Sequence, residues 1–219
     1  MTSLVNLLKD PPPTHAFEMS ENGIAFARVG EPGKVNFAPF DTGVLQVSPA
    51  HDNIQQPQVF QDVIHHIAPP NGHRRRRAAL ILPDYCARVA VLDFDSFPAD
   101  PEEQIALLRF RMKKSVPFDV DSAIVSYAMQ TKNGDKVDVL AAVMAAEIVG
   151  RYEAPFRAAG FHPGLVTTSS LAALNLLDPD HISMLVKLSG RVISVLVLDG
   201  NTVKLSRSVE MDDVRPDDI

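Results

Sequence analysis

Residues 97–130 read FPADPEEQIALLRFRMKKSVPFDVDSAIVSYAMQ, and this stretch carries the strongest local signals in the chain. Asp100 occupies the N-cap position of a helix, Pro101 follows at the first helical position, and Glu103 lies where a capping box has its carboxylate. The sequence therefore predicts a helix that begins at Pro101.

The body of this helix has an apolar face and a basic carboxyl-terminal half. Ile105, Leu108 and Met112 share one face at helical spacing. The basic residues complement the negative end of the helix dipole; they are Arg109, Arg111, Lys113 and Lys114. Pro117 cannot continue a helix, so we expect the helix to cover residues 101–115 and a strand at 123–130 to follow.

Two regions far apart in the chain share a three-strand pattern. The first reads HAFEMS, IAFARV and KVNFAPF from His15 onward, and the second reads ISMLVKL, RVISVLVL and TVKLSRSV from Ile182 onward. Glycine-containing turns separate the runs. Alternating runs joined in this way predict a β-meander in each region.

The segment between the meanders predicts helices and strands. We expect a helix at residues 58–67, a strand at 79–82 and a helix at 168–177. An Asn133-Gly134 hairpin turn, a strand at 136–143 and a helix at 146–159 capped by Gly160 complete the inserted unit that begins at Pro101. The buried stripe of that last helix is predicted to be Ile148, Tyr152, Phe156 and Ala159, with Pro155 kinking or shortening the helix.

The composition is that of a folded protein from a reducing compartment. The chain has 219 residues, 46% of them apolar, which is enough for one large domain or two lobes. A formal charge of -6 argues against a nucleic-acid binder. The single cysteine, Cys86, is expected to be a small buried residue. Because no run approaches the roughly 18 apolar residues that span a bilayer, we expect any membrane link to go through a partner.

The family resemblance rests on two quoted stretches. The basic helix ending in VPFDVD (residues 116–121) and the run VDVLAAVMAAEIVGRYEAPFRAAGFHPGLVTTSSLAALNLL (residues 137–177) together resemble PilM, the actin-like scaffold family of type IV pilus assembly. Weaker similarity extends over both meanders, so nearly the whole chain falls within the family's first two thirds. The cytoplasmic domain of GspL and the division protein FtsA share the pattern more distantly.

This resemblance implies a mixed α/β fold, actin-like and ribonuclease-H-like, with a small inserted subdomain and an incomplete second lobe. The first lobe would comprise residues 14–85 and 161–178, the inserted subdomain 86–160, and the start of the second lobe 179–219. Residues 1–13 would form an N-terminal segment with a proline spacer. The ending VRPDDI is more like the start of a helix than like a tail, so we expect a longer natural chain.

The family holds nucleotide phosphates in the loops that join the first two strands of each lobe. The matching residues of the first lobe are Glu18, Ser20, Glu21, Asn22 and Gly23, and those of the second lobe are Lys187, Ser189 and Gly190. Ser20 replaces a customary glycine, Glu21 adds a negative charge, and Lys187 replaces a metal-organising aspartate. Both loops are degenerate, so the resemblance implies no cofactor for this chain and leaves Mg-ATP to a longer one.

The function that the resemblance implies is that of a non-enzymatic scaffold, cytoplasmic and peripheral at the inner membrane. It would bind the cytoplasmic N-terminal peptide of a PilN-like membrane protein in a groove near the junction of the first lobe and the inserted subdomain. The predicted contact residues are Arg109, Lys113, Pro117 and Phe118. The plainer interpretation is that Pro117 and Phe118 only end and pack the helix. The alternative function is an actin-like ATPase that is active only in a longer chain or an assembly.

Polar clusters elsewhere have ordinary explanations. The basic run from His73 to Arg77 predicts a solvated loop, with an acidic partner or lipid headgroups as the alternative. His65 and His66 point in different directions on a helix, so we expect no metal site. Thr167, Thr168, Ser169 and Ser170 open a helix and are expected to be capping residues rather than nucleophiles.

Two hypotheses concern self-association. Residues 5–8, VNLL, resemble the Asn-Leu-Leu element of the PilN tail, so the N-terminal segment is a candidate occupant of the peptide groove in its own or a neighbouring chain. The open edge of an incomplete second sheet also favours pairing between copies.

Overall fold

The computed structural model describes residues 12–69, 76–133, 136–177 and 181–211. The strands are β1 (His15–Ser20), β2 (Gly23–Arg28), β3 (Val35–Pro39), β4 (Arg76–Leu82), β5 (Arg88–Phe94), β6 (Ile124–Asn133), β7 (Lys136–Met144), β8 (Phe161–Thr168), β9 (Ser183–Ser189), β10 (Val192–Asp199) and β11 (Thr202–Glu210). The helices are α1 (Pro57–Ile67), α2 (Pro101–Met112), α3 (Ala146–Ala158) and α4 (Ser169–Ala173), with short 3₁₀ turns at Asp84–Cys86 and Leu174–Leu176.

The chain divides into two compact units. The first comprises the chain up to Gln46, Ile54–Leu82 and Arg151–Thr167, and the second comprises Val47–Asn53, Pro83–Gly150 and the chain from Thr168 onward. The inserted segment and the second meander thus fall in the same unit. The domain boundaries expected from the sequence remain predictions.

The first unit is built on a five-stranded sheet in the order β3-β2-β1-β4-β8. β1 pairs antiparallel with β2 and parallel with β4. Aromatic side chains fill its core: the ring of Phe17 lies 4.8 Å from Phe26, 4.8 Å from Phe156 and 4.9 Å from Phe161. Offset and edge-to-face pairs of this kind stabilise a core beyond the area that they bury.

Arg76 closes the ends of two helices in this unit. Its Nη1 donates to the carbonyls of Ala68 (3.2 Å) and Pro69 (2.9 Å), and its Nη2 donates to Ala159 (2.7 Å). The guanidinium lies 3.7 Å from the centre of the Phe161 ring. Arg76 is therefore a buried capping residue of α1 and α3, so the prediction of a solvated loop is wrong for this member of the basic run. His73, Arg74 and Arg75 lie outside the described residues.

The second unit contains two three-stranded sheets, β5-β7-β6 and β11-β10-β9. One face of the first sheet packs on α2 through Phe94, Leu108 and Val139. On its other face, Val91 and Leu140 pack against the buried leucines of β10. The Gln130 amide also bonds both backbone groups of Val203, accepting from its N–H at 2.7 Å and donating to its carbonyl at 3.0 Å. These contacts join the inserted segment to the second meander.

The predicted helix 101–115 is confirmed at its start and ends earlier than expected. The Asp100 carboxylate accepts from the N–H groups of Glu102 (2.9 Å) and Glu103 (3.0 Å), so the N-cap is as predicted. The helix ends at Met112 rather than at Ser115. Both the backbone N–H and the hydroxyl of Ser115 donate to the Met112 carbonyl at 2.8 Å, and this tightened turn ends the helix before Pro117 is reached.

Most of the other predicted elements are confirmed, with shifted ends. Both meanders are present, the stripe of α3 is buried, and Gly160 caps α3 with a φ of 82°. α3 continues through Pro155 to Ala158, so Pro155 does not shorten it as expected. The predicted helix 168–177 is only α4 followed by a 3₁₀ turn, strand β8 was not predicted, and no bounds were predicted for β5. Cys86 is a free, buried cysteine as expected.

Candidate functional site

The first phosphate-like loop is a tight hairpin connection between β1 and β2. Ser20 pairs with Gly23 across it, and the Ser20 hydroxyl donates to the Gly23 carbonyl at 3.2 Å. Gly23 has a φ of 151°, and a Cβ atom placed there would lie 2.2 Å from the Ala38 carbonyl oxygen. Glycine is therefore required at this position by the approach of β3. The predicted residues Glu18, Glu21 and Asn22 lie in or beside the same hairpin.

The second phosphate-like loop is a two-residue turn between β9 and β10. Ser189 pairs with Val192 across it, and Gly190 has a φ of 56°. Lys187 points its ammonium at the hydroxyl of buried Ser169. The lysine that replaces the family's aspartate thus binds within its own unit.

A buried carboxylate lies at the start of α4, where it binds Ser170, the residue next to Ser169. Asp84 accepts from the backbone N–H of Ser170 at 2.7 Å and from its hydroxyl at 2.6 Å. Thr168, at the N-cap position, makes no side-chain cap bond. The capping residue of α4 is therefore Asp84, not one of the predicted serines or threonines. Both hydroxyls of the Ser169-Ser170 pair are buried in structural bonds.

A cavity of about 250 Å³ in the second unit collects two of the predicted partner-binding residues. Its lining comes from four separate parts of the chain: Pro49; Tyr85, Ala87, Arg88 and Val89; Ser115, Pro117 and Phe118; and Ser208. Pockets for drug-sized ligands are roughly 300 to 1,000 Å³. This cavity is suited to one or two side chains of a docked segment.

Arg88 is the charged residue of this lining, and part of its hydrogen-bonding capacity is unused. Its Nε atom is buried and has no hydrogen-bond partner within the described residues. A buried donor without an acceptor costs about 1–3 kcal/mol, and such a cost in a native structure calls for an explanation.

The other two predicted partner-binding residues lie outside the cavity lining. Arg109 donates from Nη2 to the Ala123 carbonyl at 3.1 Å, and its buried Nε is also without a partner in the described structure. The Lys113 ammonium lies 3.9 Å from Asp121, with both side chains largely exposed. Such a surface pair contributes little to stability. Sequence reasoning thus found Pro117 and Phe118 but missed Tyr85 and Arg88.

A small turn fixes the chain just after Phe118. The Asp119 carboxylate accepts from the backbone N–H of Asp121 at 3.1 Å. This bond, with help from Ser122 and from the charge of Lys113, holds the pKa of Asp119 below its ordinary value. The turn orders the segment that carries Pro117 and Phe118.

Several solved structures share this architecture. No family model and no curated protein sequence matches the chain. Among solved structures, a chain of the PilM-PilN type IV pilus biogenesis complex superposes with a TM-score of 0.72 and 17% identity, over 91% of this chain and 62% of that chain. The cytoplasmic domain of EpsL, an inner membrane component of the type II secretion system of Vibrio cholerae, superposes with a TM-score of 0.55 and 13% identity. This match covers 90% of the present chain and 70% of the EpsL chain. A Bacteroides thetaiotaomicron protein of unknown function with an actin-like ATPase fold superposes with a TM-score of 0.51 and 12% identity. This match covers 90% of the present chain and 70% of the Bacteroides chain.

The chain has the actin-like fold. The resemblance to PilM stated from the sequence is confirmed at the level of this fold, and the chain spans 62% of the length of the PilM-PilN chain that it matches. Within the described residues of this actin-like chain, no helix is long and apolar enough to cross a membrane. In the same residues, no three His, Cys, Asp or Glu side chains are grouped as metal ligands would be.

Proposed function

We propose that this chain is a non-enzymatic scaffold of type IV pilus assembly that binds the cytoplasmic N-terminal peptide of a PilN-like inner-membrane protein. The cavity lined by Pro117 and Phe118 is the observation that carries the proposal, because it provides apolar walls for a peptide side chain in the region where the PilM resemblance predicts contact. The likeness in fold to a chain of the PilM-PilN complex supports it. In this proposal the protein is cytoplasmic and attaches to the inner membrane through its partner.

The residues around the cavity divide into two roles. In this proposal Pro117 and Phe118 form apolar walls, and Arg109 and Lys113, at the carboxyl-terminal end of α2, supply positive charge in the same predicted contact region. An apolar anchor gives affinity and rim charges give orientation and association rate. Nucleotide hydrolysis has no part in this mechanism.

The test is calorimetric titration of a synthetic PilN N-terminal peptide into the chain, with and without Mg-ATP. We expect binding that Mg-ATP does not change. Phe118→Leu is expected to weaken binding about tenfold by removing ring contacts with an anchor, whereas Phe110→Leu, at a residue 75% exposed on α2, is the matched control and should have no effect. Equal affinities for both variants would contradict the proposed site.

An actin-like ATPase remains the second candidate, since one of the structural neighbours is described by that fold. It predicts a rise in melting temperature with Mg-ATP, because a ligand that binds only the folded state stabilises it. The contact of Lys187 with Ser169 argues against it, since this lysine occupies the place of a metal-organising carboxylate. A melting temperature that Mg-ATP raises in proportion to its concentration would favour the ATPase over the scaffold.

A further inference from the structure

The cavity at Pro117 and Phe118 is lined in part by a cation, Arg88, that has no anionic partner among the residues that the structure describes. Arg88 is the charged member of its lining, and its guanidinium forms no ion pair in the described part of the chain. Its Nε is buried and without an acceptor. An arginine keeps its charge at any physiological pH and presents donors in a rigid fork. The guanidinium of Arg88 therefore brings a fixed positive charge to the lining, and its buried Nε–H is still without an acceptor.

Three carboxylates close in sequence to this lining are engaged elsewhere. Asp84 accepts two bonds from Ser170. Asp119 accepts from the backbone of its own turn, and Asp121 lies 3.9 Å from the Lys113 ammonium. None of these three supplies an anion to Arg88.

Other groups of the lining fit an anionic occupant with an apolar neighbour. Tyr85 adds a phenol, which can donate a second hydrogen bond. Pro49, Pro117 and Phe118 form apolar walls, which strengthen a charged hydrogen bond by excluding water. Next to Ser115, Lys114 adds a further positive charge in this part of the chain.

We propose that this cavity is a carboxylate-binding site in which the guanidinium of Arg88 holds an acidic side chain of the docked segment. The inference rests on the proposed function in one respect: the segment is taken to be the partner's peptide. It adds that the peptide carries an Asp or Glu next to an apolar residue, which enters beside Pro117 and Phe118. Arg–carboxylate pairs of this kind are short, often bidentate and strong.

The first experiment tests the site without any peptide. Protein labelled with ¹⁵N-arginine gives an Nε–Hε resonance for each ordered arginine, and the signal of Arg88 is assigned by its loss in Arg88→Lys. The probes are 3-phenylpropionate and its neutral amide, 3-phenylpropanamide. We expect the carboxylate to shift the Arg88 resonance in a saturable way and the amide to leave it unchanged. Equal shifts with both probes, or none with either, would overturn the carboxylate site.

The second experiment uses the PilN N-terminal peptide and a copy in which every Asp and Glu is replaced by its amide. Arg88→Gln should weaken binding of the native peptide about tenfold or more and leave the amide copy unaffected. Arg207→Gln, which makes the same charge change next to Ser208 on the alternate side of β11, is the matched control and should bind as the parent chain does. If Arg88→Gln binds the native peptide normally, the carboxylate inference is wrong.

The two proposals fail separately. A peptide that does not bind the parent chain, together with a saturable shift of Arg88 by 3-phenylpropionate, would remove the PilN-like partner and keep the anion site. A peptide that binds Arg88→Gln as tightly as the parent chain would keep the partner and remove the anion site. Because Nε has no bond to lose, Arg88→Gln is expected to fold with a melting temperature no lower than that of the parent chain, which excludes unfolding as the cause of weaker binding.

Discussion

Asp84 caps the amino-terminal end of α4 although 86 residues separate it from Ser170. Both of its oxygens are used, one by the backbone N–H of Ser170 at 2.7 Å and the other by the Ser170 hydroxyl at 2.6 Å. The carboxylate lies in the 3₁₀ turn after β4, and it is buried. This pair therefore ties the turn that precedes β5 to the helix that precedes the second meander.

Replacing Asp84 by alanine should destabilise the chain by about 3 kcal/mol, because two charge-assisted bonds are lost and a buried N–H is left without an acceptor. Urea unfolding followed by circular dichroism measures this difference. The matched control is Asp93→Ala, since Asp93 is an exposed carboxylate 3.8 Å from Arg111 and such pairs contribute at most about 1 kcal/mol. Similar midpoints for the two variants would show that Asp84 is not a structural cap.

The sequence predicted those parts of the fold whose signals are local. The Asp100 cap, the Gly160 cap and both meanders depend on residues within a few positions of each other, and all are found. β8 was missed because its sequence, FHPGLVTT, contains a proline and a glycine, which strands avoid except at an edge such as the one β8 occupies.

The candidate site was predicted only in part for a similar reason. Pro117 and Phe118 belong to the quoted stretch on which the resemblance rests, so they were found. Tyr85, Arg88 and Ser208 reach the same cavity from other parts of the chain, and no spacing in the sequence joins them. The available signal was a lone arginine that opens the apolar run RVAVLDF, which was left without an interpretation.

Gly23 gives a test of whether its loop is shaped by packing. Gly23→Ala should destabilise the chain by about 2–4 kcal/mol, because the added Cβ would meet the Ala38 carbonyl at 2.2 Å in a conformation with φ of 151°. Gly164→Ala is the control, since nothing lies within 4 Å of a Cβ at that position. If Gly23→Ala is as stable as Gly164→Ala, β3 does not constrain the loop as the structure indicates.

Arg76 should resist even conservative replacement. Arg76→Lys keeps the positive charge but cannot reach the Ala68, Pro69 and Ala159 carbonyls together, so we expect a loss of about 2–4 kcal/mol in the free energy of unfolding. Arg77→Lys, at the next and less buried position, should cost less than about 1 kcal/mol. Equal losses would mean that the guanidinium geometry at Arg76 is not what stabilises α1 and α3.

His15 makes the stability of the first unit depend on pH. Its ring lies 5.9 Å from Phe26 and 5.4 Å from Phe161. Burial, followed by the charges of Arg28 and Arg76, lowers the pKa of His15 below 6.5, against the opposing effect of a hydrogen bond that the ring donates to the Arg77 backbone. As pH falls, His15 therefore takes up a proton in the unfolded chain before it does so in the folded chain. The contribution of neutral His15 to stability is lost as pH falls below about 6.5.

The pH effect is measured as the urea midpoint between pH about 7.5 and about 5. Replacing His15 by glutamine should flatten the acid side of this profile, whereas His51→Gln, at an exposed position, should leave it unchanged. A profile that keeps its slope in His15→Gln would assign the dependence to other groups.

The outer face of β9, β10 and β11 carries an unusual density of exposed apolar side chains. Met184 is 66% exposed, Val186 51% and Leu188 66%. The strand register places Ile193, Val195 and Val197 beside them, and then Leu205, Arg207 and Val209 on β11. β9 is also an edge strand of this sheet. An open edge with an apolar face is the combination that favours association between copies of a chain.

We therefore expect this chain to self-associate weakly through that face. Three strands of this length project to roughly 300 Å², below the ~800 Å² per partner of a stable interface, so the equilibrium should depend on concentration in the micromolar range or above. Sedimentation velocity at increasing concentration measures it. Met184→Glu should remove the dependence by placing a carboxylate on the face. Met129→Glu, at a methionine 61% exposed on β6, is the matched control and should associate as the parent chain does; a parent chain that stays monomeric throughout would refute the prediction.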